Sequence, residues 1–166
     1  MKSSLEIKIK KAKLQDEEEI VYLIHEALKD NQGFFLPLSP TLENAKVFFR
    51  MEVIPCLINN DPVYLAYKKN QAIGMACCSL GVNAAYALSK AVALGVLTTT
   101  LPEFRNKGVA TELRTEMLKE LKEKKINTVL TDISSNNVAS HESCNKIILI
   151  NQLELDIISH KYECSI

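Results

Sequence analysis

The stretch that decides the fold is Arg105-Asn106-Lys107-Gly108-Val109-Ala110. It lies between an apolar, strand-like run over residues 91–101 and a periodic helical pattern over residues 108–124. A turn at a helix start presents several backbone N–H groups in one direction, and the positive end of the helix dipole lies behind them. Gly108 has no Cβ to obstruct a bulky phosphate group, and Ala110 keeps the next turn narrow. The stretch therefore predicts a site for a phosphate-bearing cofactor in front of this helix.

The two basic residues of the turn have two possible roles. Arg105 and Lys107 can add positive charge at the rim of the predicted site. The alternative is that both are ordinary solvated charges on the surface. Their position at a helix start favours the first role, because anions bind there.

The composition is typical of one soluble globular domain. The 166 residues are expected to form a single domain over residues 1–166, with 47% hydrophobic and 24% charged residues. Lys and Arg together number 20, as do Asp and Glu, so the net charge is zero. We therefore expect no general attraction to nucleic acid or to an anionic membrane. No window has the ~20 apolar residues of a membrane-spanning helix.

The cysteines and histidines do not form a metal or disulfide pattern. The five cysteines are an odd number without a C-x-x-C pair, and the three histidines are far apart in the sequence. Neither a disulfide framework nor a metal site is predicted. Reduced thiols favour a cytoplasmic location. The cysteines are Cys56, Cys77, Cys78, Cys144 and Cys164.

The hydrophobic periodicity predicts a mixed α/β domain. Asp16, Thr41 and Gly108 are expected at the starts of helices, and a short polar helix is expected at about 137–146. The helix that follows Gly108 has a polar side that includes Arg114 and Glu120. The predicted order is β-α-α-β-β-β-α-β-α-β-β, with a central sheet of about six or seven strands. The predicted strands are residues 5–13, 62–68, 72–80, 91–101, 127–133, 147–156 and 158–164.

In this setting the turn resembles the GNAT superfamily of acyl-CoA-dependent N-acetyltransferases. The superfamily's signature, Arg/Gln-x-x-Gly-x-Gly/Ala, follows its fourth strand, and here it is Arg105-x-x-Gly108-x-Ala110. The longer stretch over residues 101–110 is similar to the family wording hPxYRGKGIG. The resemblance implies a central mixed sheet that is splayed at the cofactor site. It also implies an enzyme that moves an acetyl group directly from acetyl-CoA to a primary amine.

The resemblance also implies which residues contact acetyl-CoA. In that family the pyrophosphate of CoA lies on the backbone amides of the turn, and the pantetheine arm adds like a strand to the preceding β-strand. One such amide usually donates to the thioester carbonyl. The alternative for the threonine run at 98–100 is that it only stiffens the strand. The implied cofactor-binding residues are Thr98, Thr100, Arg105, Asn106, Lys107, Gly108, Val109, Ala110, Thr111 and Asn137.

A second family motif is present in altered form. The family pattern Asn-x-x-Ala-x-x-x-Tyr-x-Lys-Leu-Gly-Phe aligns with residues 137–149, where Asn137 and Lys146 match. The tyrosine that usually acts as the general acid is replaced by Cys144, and Ile148-Leu149 replaces Gly-Phe. This change affects the expected catalysis and leaves the cofactor site intact.

Cys144 is the predicted general acid. A thiol with a reference pKa of about 8.5 can donate a proton to the departing CoA thiolate. Ser140 lies one helical turn earlier on the same face and is the second catalytic candidate. The alternative is that Cys144 is a small buried apolar residue. His141 is a base or relay, or a solvated surface histidine, and no general base is named.

The loop after the first helix carries the acceptor prediction. It reads Phe34-Phe35-Leu36-Pro37-Leu38, which resembles the Phe-Phe-x-x-Glu-Pro-Leu loop of invertebrate arylalkylamine (dopamine-type) N-acetyltransferases. Leu36 stands where that branch has a catalytic Glu. Phe34 and Phe35 either line an acceptor pocket or anchor the loop in the core. The expected acceptor is a small aryl- or alkylamine, with a polyamine, an amino sugar or a protein N-terminus as alternatives.

A different class of function is also consistent with the sequence. The family's tyrosine, glutamate and Gly-Phe pair are replaced at Cys144, Leu36 and residues 148–149. These replacements would suit a CoA-binding protein with lost or weak catalysis. A nucleotide-binding module is disfavoured, because the turn lacks the ending of a P-loop and the three glycines of a Rossmann turn. The chain is expected to be a monomer or a homodimer.

Overall fold

The structure is a computed structural model that describes residues 6–30, 38–80, 92–126 and 128–132, with Val138, His141, Glu142, Cys144 and residues 157–158. The strands are β1 (Lys8–Lys11), β2 (Val63–Lys68), β3 (Gln71–Ser79), β4 (Val92–Thr100), β5 (Thr128–Asp132) and β6 (Ile157–Ile158). The helices are α1 (Glu17–Asp30), α2 (Leu42–Phe48), α3 (Ile54–Ile58) and α4 (Val109–Glu123). A π-helical segment, Phe49–Val53, joins α2 to α3, and 3₁₀ turns cover Leu14–Asp16 and Pro102–Phe104.

The strands form one mixed sheet in the order β1-β2-β3-β4-β5-β6. The first four strands pair antiparallel, whereas β5 pairs parallel with β4 and β6 pairs parallel with β5. The predicted mixed α/β class is therefore confirmed. The strand count and the order of the last elements stay predictions, because most of residues 133–166 lie outside the described residues. The same holds for most of the predicted helix at 137–146.

The two helical layers cover opposite faces of the sheet. Successive residues of a strand point to opposite faces. In β1, Lys10 forms an ion pair with Asp16 just before α1 at 2.8 Å. The next residue, Lys11, pairs with Glu120 of α4 at 2.6 Å. Helices α1 and α4 therefore lie on different sides of the sheet. In the ranges that the structure describes, no helix is long and apolar enough to cross a bilayer.

The predicted helix starts are confirmed in position, with one difference in mechanism. Thr41 caps α2 as predicted, since its hydroxyl accepts the N–H of Asn44 at 3.2 Å. Asp16 directly precedes α1, but its carboxylate accepts the N–H of Lys13 at 2.8 Å. Asp16 therefore closes the 3₁₀ turn before the helix. The apolar stripe predicted for α1 is buried at Ile20, Leu23, Ile24 and Leu28.

The start of α4 is packed tightly on β3. A Cβ at Gly74 would lie 2.8 Å from the carbonyl oxygen of Thr99, 3.2 Å from Val109 Cγ1 and 3.3 Å from Leu113 Cδ1. The absence of a side chain at Gly74 thus allows the first turns of α4 to approach the sheet. Val109 and Leu113 are buried there as the predicted apolar side of the helix.

The C-terminal end of α4 is attached to the sheet by hydrogen bonds and ion pairs of the buried Glu120. Glu120 accepts hydrogen bonds from Lys11 at 2.6 Å and from the Tyr64 hydroxyl at 2.7 Å, and it pairs with Lys124 at 3.2 Å. Lys124 also donates to the carbonyl oxygen of Asn60 at 2.8 Å. Glu120 is therefore buried against the sheet, and its assignment to the polar side of the helix is wrong. The reason is that partners from β1 and β2, distant in sequence, satisfy its charge.

We expect Gly74→Ala to lower the free energy of unfolding by about 1–3 kcal/mol, because the added methyl group overpacks the contact between α4 and β3. Gly95→Ala is the comparison and should cost less, because its closest contacts are the Thr131 side-chain atoms Oγ1 at 3.0 Å and Cβ at 3.2 Å, whereas a Cβ at Gly74 meets a backbone oxygen at 2.8 Å. Urea unfolding would measure both variants. A Gly74→Ala protein as stable as the wild type would contradict the packing described here.

We expect Glu120→Gln to lower the free energy of unfolding by about 1–3 kcal/mol at pH 7. Burial raises the pKa of Glu120, but hydrogen bonds from Lys11, Tyr64 and Lys124 outweigh it, and the pKa is lowered. The contribution of the carboxylate is therefore present above the unfolded pKa of about 4.3. It is lost as the pH falls through the lower folded-state pKa.

Urea unfolding at pH 7 and pH 3 tests this linkage. The difference between the wild type and Glu120→Gln should shrink at pH 3. Glu123→Gln, at an exposed position of the same helix, should change stability little at either pH. An equal difference at both pH values would argue against the Glu120 network.

Candidate cofactor site at the start of α4

Strand β4 separates from β5 part of the way along its length. The two strands pair from Val92 to Gly95, where Gly95 lies opposite Thr131. β4 continues to Thr100, yet among the described residues no further pair with β5 follows. The second half of β4 therefore has an open edge on the side of β5, which agrees with the predicted splay.

A β-bulge lies where the separation begins. On the β3 side, Cys78 is opposite Gly95 and Cys77 is opposite Leu97. Val96 is thus an extra residue in β4. A bulge bends its strand and increases the local twist. The bend at Val96 accounts for the departure of β4 from β5.

The backbone of Thr98 and Thr100 faces this open edge. Leu101 donates its N–H to the carbonyl oxygen of Ile73 at 2.9 Å. In an antiparallel pair, hydrogen-bonded residues alternate with residues that direct their backbone groups to the other side. Thr98 and Thr100 therefore direct their N–H and C=O groups away from β3. This is the placement that the sequence predicts for a strand-like ligand.

The hydroxyl of Thr100 is a buried polar group without a partner. Its Oγ1 atom has no hydrogen bond within the part of the chain that the structure describes, and the residue is 8% exposed. Thr100 lies opposite Gly74, and the Cβ direction of Gly74 points at α4. The hydroxyl is therefore on the face covered by the start of α4, beside the open edge.

The turn before α4 contains two left-handed residues. Asn106 has a φ of 59°, and Gly108, the N-cap of α4, has a φ of 85°. No heavy atom lies within 4 Å of the position that a Cβ of Gly108 would occupy, among the atoms described. The space in front of this glycine is open, as the sequence predicts for a site that admits a bulky group.

The first N–H groups of α4 have no internal acceptors. The first bond of the helix runs from the Glu112 N–H to the Gly108 carbonyl at 3.0 Å. The N–H groups of Val109, Ala110 and Thr111 precede it, and a helix leaves such groups unpaired. Gly108 supplies no side-chain cap. These three donors lie at the positive end of the helix dipole, an arrangement that favours anions.

The lysines near the turn surround one aromatic ring. Lys107 Nζ donates to the Glu103 carbonyl at 2.8 Å and lies 5.5 Å from the centroid of the Phe104 ring. Lys68 Nζ lies 5.3 Å from the same centroid. The positive charge of Lys107 is therefore kept beside the turn. Lys68 was not predicted, because nothing in the sequence connects the end of β2 with this turn.

In this structure the side chain of Arg105 contacts two other parts of the protein. Its Nε donates to the Thr100 carbonyl at 3.1 Å. Its Nη2 is 2.6 Å from Asp30 Oδ2, at the C-terminal end of α1. The role of Arg105 at the cofactor rim stays a prediction, and the observed contacts favour a role in holding the turn.

The catalytic candidates are only partly within the described residues. Cys144 is 5% exposed, which agrees with an enclosed acid and with a small apolar residue alike. Burial lowers the pKa of the Arg114 guanidinium, and the neighbouring thiols of Cys144 and Cys78 oppose that shift. The Arg114 guanidinium is therefore close to Cys144. Ser140, Asn137, Phe34 and Phe35 lie outside the described residues.

A splayed strand pair, an uncapped helix start and a left-handed glycine between them define an acyltransferase of the GNAT type. The model of the acetyltransferase (GNAT) family matches residues 15–146, and the chain belongs to this family. No curated protein matches the chain. The narrower resemblance to arylalkylamine N-acetyltransferases stays a prediction.

Solved structures support the same fold. An N-acetyltransferase from Staphylococcus aureus Mu50 is 20% identical with a TM-score of 0.68, over 85% of this chain and 81% of that one. The Salmonella typhimurium protein yncA, solved with its cofactor acetyl-CoA, is 14% identical with a TM-score of 0.69, over 86% and 78%. The aminoglycoside acetyltransferase meta-AAC0020 from an uncultured soil metagenomic sample, in complex with sisomicin, is 16% identical with a TM-score of 0.63, over 96% and 97%.

We expect Gly108→Ala to lower the free energy of unfolding by about 1–2 kcal/mol, because a residue with a Cβ is strained in the left-handed region. The methyl group itself would meet open space. Any loss of stability would therefore come from backbone strain and not from a steric clash. Gly108→Asn should cost less, since asparagine tolerates this conformation. Urea unfolding would compare the variants, and equal stability of Gly108→Ala and the wild type would contradict the assigned turn.

Proposed function

We propose that this protein transfers the acetyl group of acetyl-CoA directly to a primary amine, and that the acceptor is a small aryl- or alkylamine. The observation that carries the proposal is the uncapped start of α4 at Gly108, next to the open edge of β4. Family membership supplies the reaction class.

The residues present fit a CoA thioester. The N–H groups of Val109, Ala110 and Thr111 suit the negative oxygens of a diphosphate. Gly108 leaves room for the approach of that group. The edge N–H and C=O groups of Thr98 and the N–H group of Thr100 suit the amides of a pantetheine arm, which can bind as an added strand. The Thr100 carbonyl already accepts a hydrogen bond from Arg105. The unpartnered Thr100 hydroxyl adds a polar atom on the same side.

Acetyl-CoA, when bound, supplies an activated acetyl thioester. In the proposed reaction the start of α4 holds the diphosphate and the edge of β4 orients the arm. A β4 amide donates to the thioester carbonyl oxygen and stabilises its developing negative charge. Cys144 would supply the proton that the departing thiolate takes up, and the proton that the attacking amine loses would pass to the Cys144 thiolate or to water. The acceptor reacts as a neutral amine, and roughly one alkyl amine in a thousand is neutral at pH 7.

The proposed acceptor class rests on the resemblance of Phe34-Phe35-Leu36-Pro37-Leu38 to the loop of arylalkylamine N-acetyltransferases. In the described residues, Asp30 at the end of α1 forms an ion pair with Arg105 of the cofactor turn, which we define as residues 105–108. Because meta-AAC0020 is an aminoglycoside acetyltransferase solved with sisomicin, amino sugars are the second acceptor class to assay.

A cytoplasmic location belongs to the same proposal. The described cysteines Cys56, Cys77, Cys78 and Cys144 are all free thiols, as expected in a reducing compartment. Whether the enzyme is a monomer or a homodimer stays a prediction.

Isothermal titration with acetyl-CoA and a thiol-release assay with an amine panel test the function. We expect saturable binding, and CoA release that depends on an aryl- or alkylamine. Gly108→Glu should bind no acetyl-CoA, because a carboxylate would occupy the anion site. Absence of binding to the wild type at millimolar acetyl-CoA would remove the proposal. Binding without release for any amine would favour a CoA-binding protein without catalysis.

Cys144→Ala tests the assigned acid. We expect kcat to fall by about 10²-fold or more while the Kd for acetyl-CoA stays unchanged, because general acid catalysis contributes at about that level. The kinetics would be measured by thiol release at saturating amine. Cys144→Ser, of similar size and with a weaker acid, should also be slow. An unchanged kcat for Cys144→Ala would reject the assignment.

A further inference from the structure

An acidic residue at the end of α1 requires explanation. Asp30 is the last residue of the helix, where the negative end of the helix dipole disfavours a carboxylate. Its partner is Arg105, with Asp30 Oδ2 at 2.6 Å from Nη2. The two side chains are 26% and 36% exposed, so water screens the pair less than a fully exposed one. The ion pair therefore places a positive charge beside a carboxylate in this unfavourable position.

The same guanidinium also forms a hydrogen bond with the last residue of β4. Arg105 Nε donates to the carbonyl oxygen of Thr100, the last residue of the strand, at 3.1 Å. One planar, rigid group therefore contacts the end of β4 and the end of α1, while its own backbone lies in the turn before α4. The donors of a guanidinium have fixed relative directions. Arg105 thus restrains both the distance and the orientation among these three parts.

We infer that Arg105 is a positioning residue, which clamps the cofactor turn between Thr100 and Asp30 and thereby links that turn to the end of α1. This inference rests on the proposed function, since the turn is where CoA is proposed to bind. The clamp keeps Asn106 and Gly108 in their left-handed conformations and so keeps the amides of α4 aligned before a ligand arrives. Such preorganisation increases affinity, because less conformational freedom is lost on binding.

Removing Asp30 distinguishes this role from direct phosphate binding. If Arg105 contacted the diphosphate, Asp30 would compete for the guanidinium, and Asp30→Asn would tighten CoA binding. If Arg105 positions the turn, Asp30→Asn loosens the clamp and weakens CoA binding. The two roles therefore predict changes of opposite sign.

The experiment is a double-mutant cycle on the full-length protein, with CoA binding measured by titration. We expect Asp30→Asn and Arg105→Gln each to raise the Kd for CoA about threefold to tenfold, and the double variant to bind no more weakly than the weaker single variant. Asp30→Glu, which keeps the charge, should restore part of the affinity. Tighter binding by Asp30→Asn, or losses that add in the double variant, would overturn the inference.

A matched control comes from a second Arg–carboxylate pair. Arg50 and Glu43 of the α2 region are 2.8 Å apart and are 56% and 70% exposed. Arg50→Gln and Glu43→Gln remove the same charges away from the turn and should leave the Kd for CoA unchanged. A loss equal to that of Asp30→Asn would mean that general charge sets the affinity, and it would overturn the inference.

Hydrogen exchange of the ligand-free protein gives an independent readout. The amides of Phe104 and Glu112 are bonded to Leu101 and Gly108 at 2.9 and 3.0 Å. In Asp30→Asn they should exchange faster, with the amides of β2 and β3 unchanged. Unchanged exchange rates at Phe104 and Glu112 in Asp30→Asn would overturn the inference that Arg105 positions the turn. If the wild type binds no CoA, the proposed function fails by itself, and this measurement alone decides the inference.

Discussion

The hydrogen-bond ladder between β4 and β5 stops at Gly95, and the candidate site depends on this interruption. A strand that paired along its whole length would have no backbone groups to offer a ligand. Val96 is an extra residue in β4, and a bulge of this kind bends its strand. Beyond it, the N–H and C=O of Thr98 and the N–H of Thr100 face the open edge. Unpaired edges are unfavourable in a folded protein, so the site is formed by leaving β-pairing incomplete at one place.

Helix α4 must be held firmly for its first amides to stay aligned with that edge. At its start, Gly74 lets Val109 and Leu113 approach the sheet closely. At its C-terminal end, Glu120 is held by Lys11 of β1 and Tyr64 of β2, and Lys124 joins Glu120 to the carbonyl oxygen of Asn60 before β2. The helix is thus held by apolar packing at one end and by charge at the other. Its unpaired N–H groups lie at the packed end, beside the turn that Arg105 joins to β4 and α1.

The sequence predicted much of this arrangement because the relevant signals are local. The strand before the turn, the left-handed Gly108 and the start of α4 lie within about twenty consecutive residues, where periodicity and glycine placement are informative. Errors arose where partners come from distant strands. Glu120 was placed on the polar side because one helix does not reveal Lys11 or Tyr64. The ion pair of Arg105 with Asp30 was likewise not predicted, because Asp30 is far away in the sequence.

Residue types at fixed local spacing were enough to predict the mixed α/β class and the position of the turn. The resemblance of that turn to a known signature indicated the family, which the family model confirms. The tertiary structure alone decided which side of β4 stays open and which partners each charge has. It also joined α1 to the turn through Asp30 and Arg105. The physical reason is that strand register and ion pairing depend on how distant segments meet in space, and a local pattern of residues carries no information on that meeting.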